Sequence, residues 1–318
     1  MPKVSVIVPV YGVEKYIERC ARSLFEQTLD DIEYLFIDDC TPDRSIEILQ
    51  QVLEEYPQRK PQVVIHRMEK NSGQAAVRKW GMQNATGEYV IHCDSDDWVD
   101  TDMYRAMYEK AKEEEADVVV CDFVLTDGQT VLERTKGCSG SDVNSFLQRQ
   151  LFQRDPWSLW NKLFRKTACY KGLKYPEGDM GEDMVMCLQL MLQCQTMAYI
   201  AEPYYNYFVN TTSISNSRSA ALHVRNFERL KANTDLIIGI LKNRDIKHKR
   251  WVINGLQYNA TITLMNVMHG NKECRKLWLN TYPHANWLYL LNPYMKFERR
   301  VKCLLALIGV YPFKKDRI

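Results

Sequence analysis

Three carboxylates, Asp94, Asp96 and Asp97, fall within four residues at the end of an apolar run, Tyr89-Val90-Ile91, that reads as a buried strand. Like charges this close repel, and each carboxyl is pushed toward protonation unless a cation is present. A hard divalent ion, Mg²⁺ or Mn²⁺, relieves that repulsion through oxygen ligands and can bridge a substrate's phosphates. The same D-x-D-D pattern also suits a solvated turn with a helix N-cap. A calcium loop of the EF-hand type fits poorly, because Trp98 and Val99 stand where the turn glycine belongs.

The elements that must position these acids can be read in order. Val4 to Val10 is β-branched and bounded by Pro9 and Gly12, as a buried parallel strand would be. Ile17, Cys20, Ala21, Leu24 and Phe25 recur at helical spacing. A second strand, Glu33 to Ile37, ends in Asp38-Asp39. Thr41-Pro42 then reads as an N-cap with Pro at the first helical position, before Ile46, Leu49 and Leu53. Val63 to His66 is a third strand, followed by a helix through Ala75, Ala76 and Trp80 and by the strand that leads to Asp94. This strand–helix rhythm predicts an α/β fold with a doubly wound, mostly parallel, Rossmann-like sheet. Ligands bind such sheets at the carboxyl ends of the strands. Here those ends carry Tyr11, Asp38-Asp39 and Asp94 to Asp97, a set that suits a nucleotide diphosphate. The base stacks, a carboxylate accepts its N–H, and a metal holds the pyrophosphate. Tyr11 as packing and Asp38-Asp39 as a helix cap remain alternatives. There is no G-x-G-x-x-G and no Walker lysine loop.

Composition narrows the class. The chain has 318 residues, enough for one large domain plus an appendage, and its net charge of +2 argues against a nucleic-acid partner. Ten cysteines without a C-x-x-C pair make a zinc site unexpected and suggest a reducing, cytoplasmic setting. Met1-Pro2-Lys3 runs directly into a strand, so no signal peptide is expected, and no apolar window is long enough to span a bilayer.

V-S-V-I-V-P-V-Y, F-I-D-D-C-T-P-D, K-N-S-G-Q-A-A-V-R and G-E-Y-V-I-H-C-D-S-D-D-W, in that order, resemble the family 2 glycosyltransferases of glycosyltransferase-A fold, of the bacterial cell-surface or capsular polysaccharide type. The resemblance is dense over the first hundred or so residues. It implies that Pro9 and Tyr11 border the nucleotide base, that Asp39 hydrogen-bonds it, and that Arg78 lies near the base or diphosphate. Asp94 would face the ribose, and Ser95 and Asp96 complete the nucleotide-sugar set. Asp96 would reach the metal, with Asp97 the alternative ligand. The family's usual Asn after the strand-one Tyr is Gly12 here, and its Gly after Asp-Asp is Cys40.

Beyond Asp102 the sequence reads as a helix to Glu115, a strand at Val118 to Cys121 and an Asp127-Gly128 hairpin. Trp157 to Arg165 mixes aromatics with cations and is expected to be a core helix, with a sugar platform as the alternative. Gly181-Glu182-Asp183 opens a helix through Met186 and Leu190, where acids favour the macrodipole. The resemblance implies that this E-D pair supplies the catalytic base, normally the Asp, here Asp183 rather than Glu182. Tyr204 to Ser215 resembles the family's loop after the last core strand; alternating aromatics on a sheet edge explain its tyrosines equally.

The expected organisation is a catalytic domain over residues 1–216, with a nucleotide-sugar half over 1–100 and an acceptor half over 101–216. A helical region follows over 217–318, packed on the core or on another subunit of a homo-oligomer. Within residues 293–318, seven Lys and Arg stand against Glu298 and Asp316, so this tail could lie on the inner membrane face or dock on its own protein. The expected activity is metal-dependent, inverting transfer from a UDP-sugar to a saccharide or lipid-linked acceptor. A nucleotidyltransferase and a catalytically inactive nucleotide-sugar scaffold are the rivals. The first should carry a basic glycine-rich loop after strand one, which Tyr11 to Lys15 is not.

Overall fold

The computed structural model describes residues 1–140, 142–176, 178–209, 220–265, 267–268 and 271–310. Its first half alternates as the sequence predicts: β1 (Val4–Val10), α1 (Ile17–Phe25), β2 (Ile32–Asp38), α2 (Ser45–Glu54), β3 (Val63–Arg67), α3 (Gln74–Asn84) and β4 (Tyr89–His92). There follow β5 (Trp98–Val99), α4 (Met103–Glu113), β6 (Val118–Thr126), β7 (Val131–Thr135), α5 (Val143–Leu151), β8 (Lys162–Arg165), α6 (Lys166–Cys169), α7 (Glu182–Met191) and β9 (Met197–Phe208). The remainder is helical: α8 (Ala220–Lys242), α9 (Lys249–Met265), α10 (Lys272–Thr281), α11 (Ala285–Leu290) and α12 (Phe297–Leu307).

Among the described residues, nine strands join one sheet in the order β3-β2-β1-β4-β8-β6-β9-β5, with β7 on β6. β3, β2, β1 and β4 are parallel, while β8 runs antiparallel to both β4 and β6. β1 lies between two strands and under helices, so Val4, Val6, Ile7, Val8 and Val10 are all fully buried. Such burial contributes about 1.5–3 kcal/mol per side chain and explains why β1 is a continuous apolar run rather than an alternating one. The spacing read from α1 holds: Ile17, Cys20, Ala21, Leu24 and Phe25 are its buried face. α3 packs close to β1 because Gly81 has no side chain; a Cβ there would lie 2.5 Å from Ile7 Cγ2.

Two local readings change. Residues 157–161 are not helical, and Lys162 begins β8 instead. Trp160 is nevertheless core, stacked on Tyr205 at 4.2 Å and edge-on to Phe123 at 4.7 Å, so its ring offers no face to a sugar. The fully buried Lys162 ammonium donates to Ser158 O and Asn161 Oδ1, both at 2.8 Å, which ties the loop down without helical bonds. α2 begins at Ser45 rather than Pro42, because the Asp43 carboxylate accepts from the Ser45 N–H and hydroxyl and from the Thr41 hydroxyl. Thr41 is thereby drawn into a turn.

The chain divides into two compact units. One comprises Met1–Leu147, Asp155–Tyr175 and Met186–Thr211 and holds the whole sheet; the other comprises Gln148–Arg154, Pro176–Val185 and Thr212–Ile318. No helix among the described residues is long and apolar enough to cross a membrane.

Candidate active site

The parallel register brings the ends of β1, β2 and β4 to one rim. The Asp39 N–H donates to Val10 O at 3.1 Å and the Cys93 N–H to Ile7 O at 2.9 Å, so the acids after β2 and β4 flank the end of β1. Two strand spacings separate them, roughly 10 Å.

Pro9 is the penultimate residue of β1, and Tyr11 stands beyond its end with 51% of its surface exposed. The turn after Tyr11 is pinned from α2's approach: the Gly12 N–H donates to Thr41 Oγ1 at 2.8 Å and the Val13 N–H to Ser45 Oγ at 3.1 Å. Gly12 is left-handed, at φ 68°, and so is Cys40, at φ 56°. Asn and Gly both tolerate that conformation, so the first departure from the family pattern is conformationally silent. Cys40 enters it at a cost of about 1 kcal/mol, with its thiol on Met68 O at 3.0 Å.

Asp39 is buried, and each of its oxygens accepts one backbone N–H, from Ser72 at 2.7 Å and from Gly73 at 2.9 Å. A carboxylate has roughly four acceptor positions, so capacity for a ligand N–H remains. Asp38 is also buried, but its oxygens serve the Thr41 N–H at 2.7 Å and Arg67 at 3.1 Å.

The acidic stretch separates into different roles. Asp94, half-buried, accepts from Arg78 Nη2 at 2.7 Å, and Arg78 is 2% exposed. Ser95 is buried. Asp97 is 1% exposed; its Oδ2 accepts from Tyr205 Oη at 2.6 Å and its Oδ1 from the Phe208 N–H at 2.7 Å. Burial and the charges of Asp94 and Asp96 push its carboxyl well above the usual range. Asp96, half-buried, is pushed up to about 6 by burial and then by Asp94. Of the adjacent pair, Asp96 is the more exposed, and Asp97 ties the stretch to β9.

The residues fit a hard divalent ion by their chemistry: Asp96 and Asp97 are carboxylates whose protonation is favoured until a cation arrives. Among the described residues no three His, Cys, Asp or Glu side chains are grouped as a cage. Mg²⁺ and Mn²⁺ sites built from one or two carboxylates and completed by substrate phosphates and water need none.

Two partners of the stretch were not singled out in the sequence. Arg19, on α1, donates from Nη2 to Asp96 O at 3.0 Å, with its guanidinium 3.7 Å from the Trp98 ring and 4.9 Å from that of Phe208. Burial lowers its pKa. It projects from between the buried positions of α1, where spacing alone marks a surface cation. Tyr205 accepts the Asp94 N–H at 3.1 Å as well as donating to Asp97. Its only sequence signal is the aromatic alternation from Tyr204, which proves to be strand β9; residues 210–215 of that stretch lie outside the described residues.

Glu182 and Asp183 form the first turn of α7, entered through the left-handed Gly181 at φ 79°. Glu182 is 6% exposed, whereas Asp183 is half-buried.

A model of the family described as "Glycosyl transferase family 2" matches residues 5–174. The chain is 32% identical over 224 residues to the uncharacterized glycosyltransferase EpsJ of Bacillus subtilis, covering 68% of this chain and 63% of that protein. It is 28% identical over 224 residues to glycosyltransferase GlyA of Streptococcus pneumoniae, covering 67% and 31%. The match therefore spans less than two thirds of either relative's own length. Residues 1–349 of S. aureus TarS in complex with UDP-GlcNAc superpose with a TM-score of 0.69 at 20% identity, over 97% of this chain and 88% of that one, a likeness of fold.

Proposed function

The chain belongs to glycosyl transferase family 2, and from that premise we propose that it moves a sugar from a UDP-linked donor to an acceptor hydroxyl, with inversion at the anomeric carbon. One observation carries the reading: the ends of three adjacent parallel strands gather an exposed aromatic, a buried carboxylate and a strained acidic stretch on one rim. These are the parts that a nucleotide diphosphate needs.

In this reading the uracil stacks on Tyr11 beside Pro9, and Asp39 accepts the ring N–H with the capacity that Ser72 and Gly73 leave. Arg78 holds Asp94 in place to accept from the ribose. Asp96, next to Ser95, would hold Mn²⁺ or Mg²⁺, whose chemistry when bound would be to offset charge on the departing diphosphate. Asp183 takes the proton from the acceptor hydroxyl. The new C–O bond forms on the face opposite the bond to phosphate, which breaks with its electron pair leaving on UDP. Glu182, buried, is a poorer candidate for the base.

The acceptor in this reading is a saccharide or lipid-linked hydroxyl of bacterial surface polysaccharide or glycolipid synthesis. Peripheral membrane attachment belongs to the same reading. On α12 the exposed Phe297 and Leu304, with Ile308 just beyond its end, lie among Arg299, Arg300 and Lys302, the composition of an interfacial helix.

A panel of UDP-sugars tests the proposal, with UDP release measured with Mn²⁺ and with chelator. Asp183→Asn is expected to lose 10²–10⁴-fold in kcat, with donor affinity within a few-fold of wild type. Near wild-type transfer by Asp183→Asn, with loss in Glu182→Gln, would reverse the two roles.

A further inference from the structure

The helical unit contains its own concave site, of about 210 Å³, which the transfer chemistry does not use. Its lining includes Arg149, Arg154, Lys247 and His248, with the rings of Phe152 and Tyr294 as the apolar part, and no carboxylate. Phe152 and Tyr294 are stacked at 4.5 Å, and His248 approaches Tyr294 at 4.6 Å. The Arg154 guanidinium is aimed by a bond from Nη2 to Tyr294 O at 3.1 Å. That bond uses one of its five N–H donors. Lys247 sits in the α8–α9 connection, where Gln148 Nε2 donates to Lys247 O at 3.2 Å and fixes the turn. From Lys242 to Arg250 this connection has five Lys or Arg against the single Asp245.

Arg154 and Lys247 thus bring permanent positive charge to one concavity whose lining holds no carboxylate, and an anion seated there is attracted to both. α9 adds to that attraction. That helix begins at Lys249, directly after His248, so the positive end of a 17-residue helix lies beside the site. Forked guanidinium donors match the geometry of a phosphate. The volume falls below the roughly 300–1,000 Å³ of sites that enclose drug-sized ligands. It suits a phosphoryl group with a few further heavy atoms.

We propose that this pocket is a second binding site, for a phosphate ester, carried either by a soluble polyol or sugar phosphate or by a lipid headgroup. The proposal does not rest on the transfer reaction.

The test keeps the full chain and fills the donor cleft with saturating UDP and Mg²⁺. In one arm glycerol phosphate is titrated by calorimetry; in the other the protein is sedimented with phosphatidylcholine vesicles with and without phosphatidylglycerol. Arg154→Ala/Lys247→Ala should bind glycerol phosphate at least 10-fold more weakly, or lose the preference for anionic vesicles, while UDP affinity is unchanged. Lys247→Glu, at an exposed position, should act in the same direction and guards against misfolding of the double variant. A loss confined to the first arm assigns a soluble ester, and a loss in the vesicle arm assigns a headgroup; both uphold the site. Absence of binding in both arms, or equal binding by wild type and variants, overturns it. Because UDP affinity is read separately, failure here is distinguishable from failure of the donor site.

Discussion

Arg78, almost without solvent exposure, places its Nη2 2.7 Å from Asp94 Oδ1, so the cation nearest the acidic stretch is already engaged in the free protein. A buried pair is costly to break from one side, because the remaining charge has lost its partner. Arg78→Gln should destabilise the chain by about 3 kcal/mol in urea unfolding. Adding Asp94→Asn should return part of that loss. Additive losses would mean that the two residues act independently.

Asp97 is held on one oxygen by Tyr205 and on the other by the Phe208 N–H. Tyr205→Phe removes one donor from a buried carboxylate and should cost about 1–3 kcal/mol. Asp97→Asn should leave metal-dependent UDP binding within a few-fold of wild type. If instead it abolishes metal dependence while the fold persists, Asp97 is a ligand after all.

These two relationships also show what the sequence could reveal. β1, α1, β2, β3, α3 and β4 were legible because apolar periodicity reports burial directly, and the strand ends followed from topology. The D-x-D-D pattern was legible as a cluster but not as a division of labour. The partner that distinguishes Asp97 from Asp96 is Tyr205, more than a hundred residues away on β9. Residues 157–161 misled because Trp160 and Leu159 are core residues held by Lys162, a buried cation that no periodicity announces.

Arg19 joins the acidic stretch to α1 through Asp96 O and the Trp98 ring. Arg19→Ala should lower kcat on the order of 10- to 100-fold by letting that stretch shift. Arg19→Lys should not rescue it, since an ammonium cannot both stack and donate in a plane. Steady-state kinetics on a turned-over UDP-sugar decide this, and unchanged kcat in Arg19→Ala would remove Arg19 from the account.

His92 is 1% exposed, and among the described residues neither ring nitrogen has a hydrogen-bond partner. Burial, then the Arg78 charge, holds its pKa well below the ordinary value of 6.5. The unfolded chain therefore takes up a proton that the folded chain refuses. Stability from this site is intact above pH 6.5 and falls as the pH drops below it, by up to about 1.4 kcal/mol per pH unit. Between pH 7.5 and 5, His92→Leu should lose about 1–2 kcal/mol less stability than wild type. Parallel pH profiles for the two proteins would show that His92 is protonated in the fold.

Asp96 is proposed as the carboxylate that couples a divalent ion to UDP. Calorimetric titration of UDP into wild type with Mn²⁺, wild type with chelator, and Asp96→Asn with Mn²⁺ isolates that coupling. The expected result is binding in the first case and at least 10-fold weaker binding in the other two. Equal affinity in all three would contradict it.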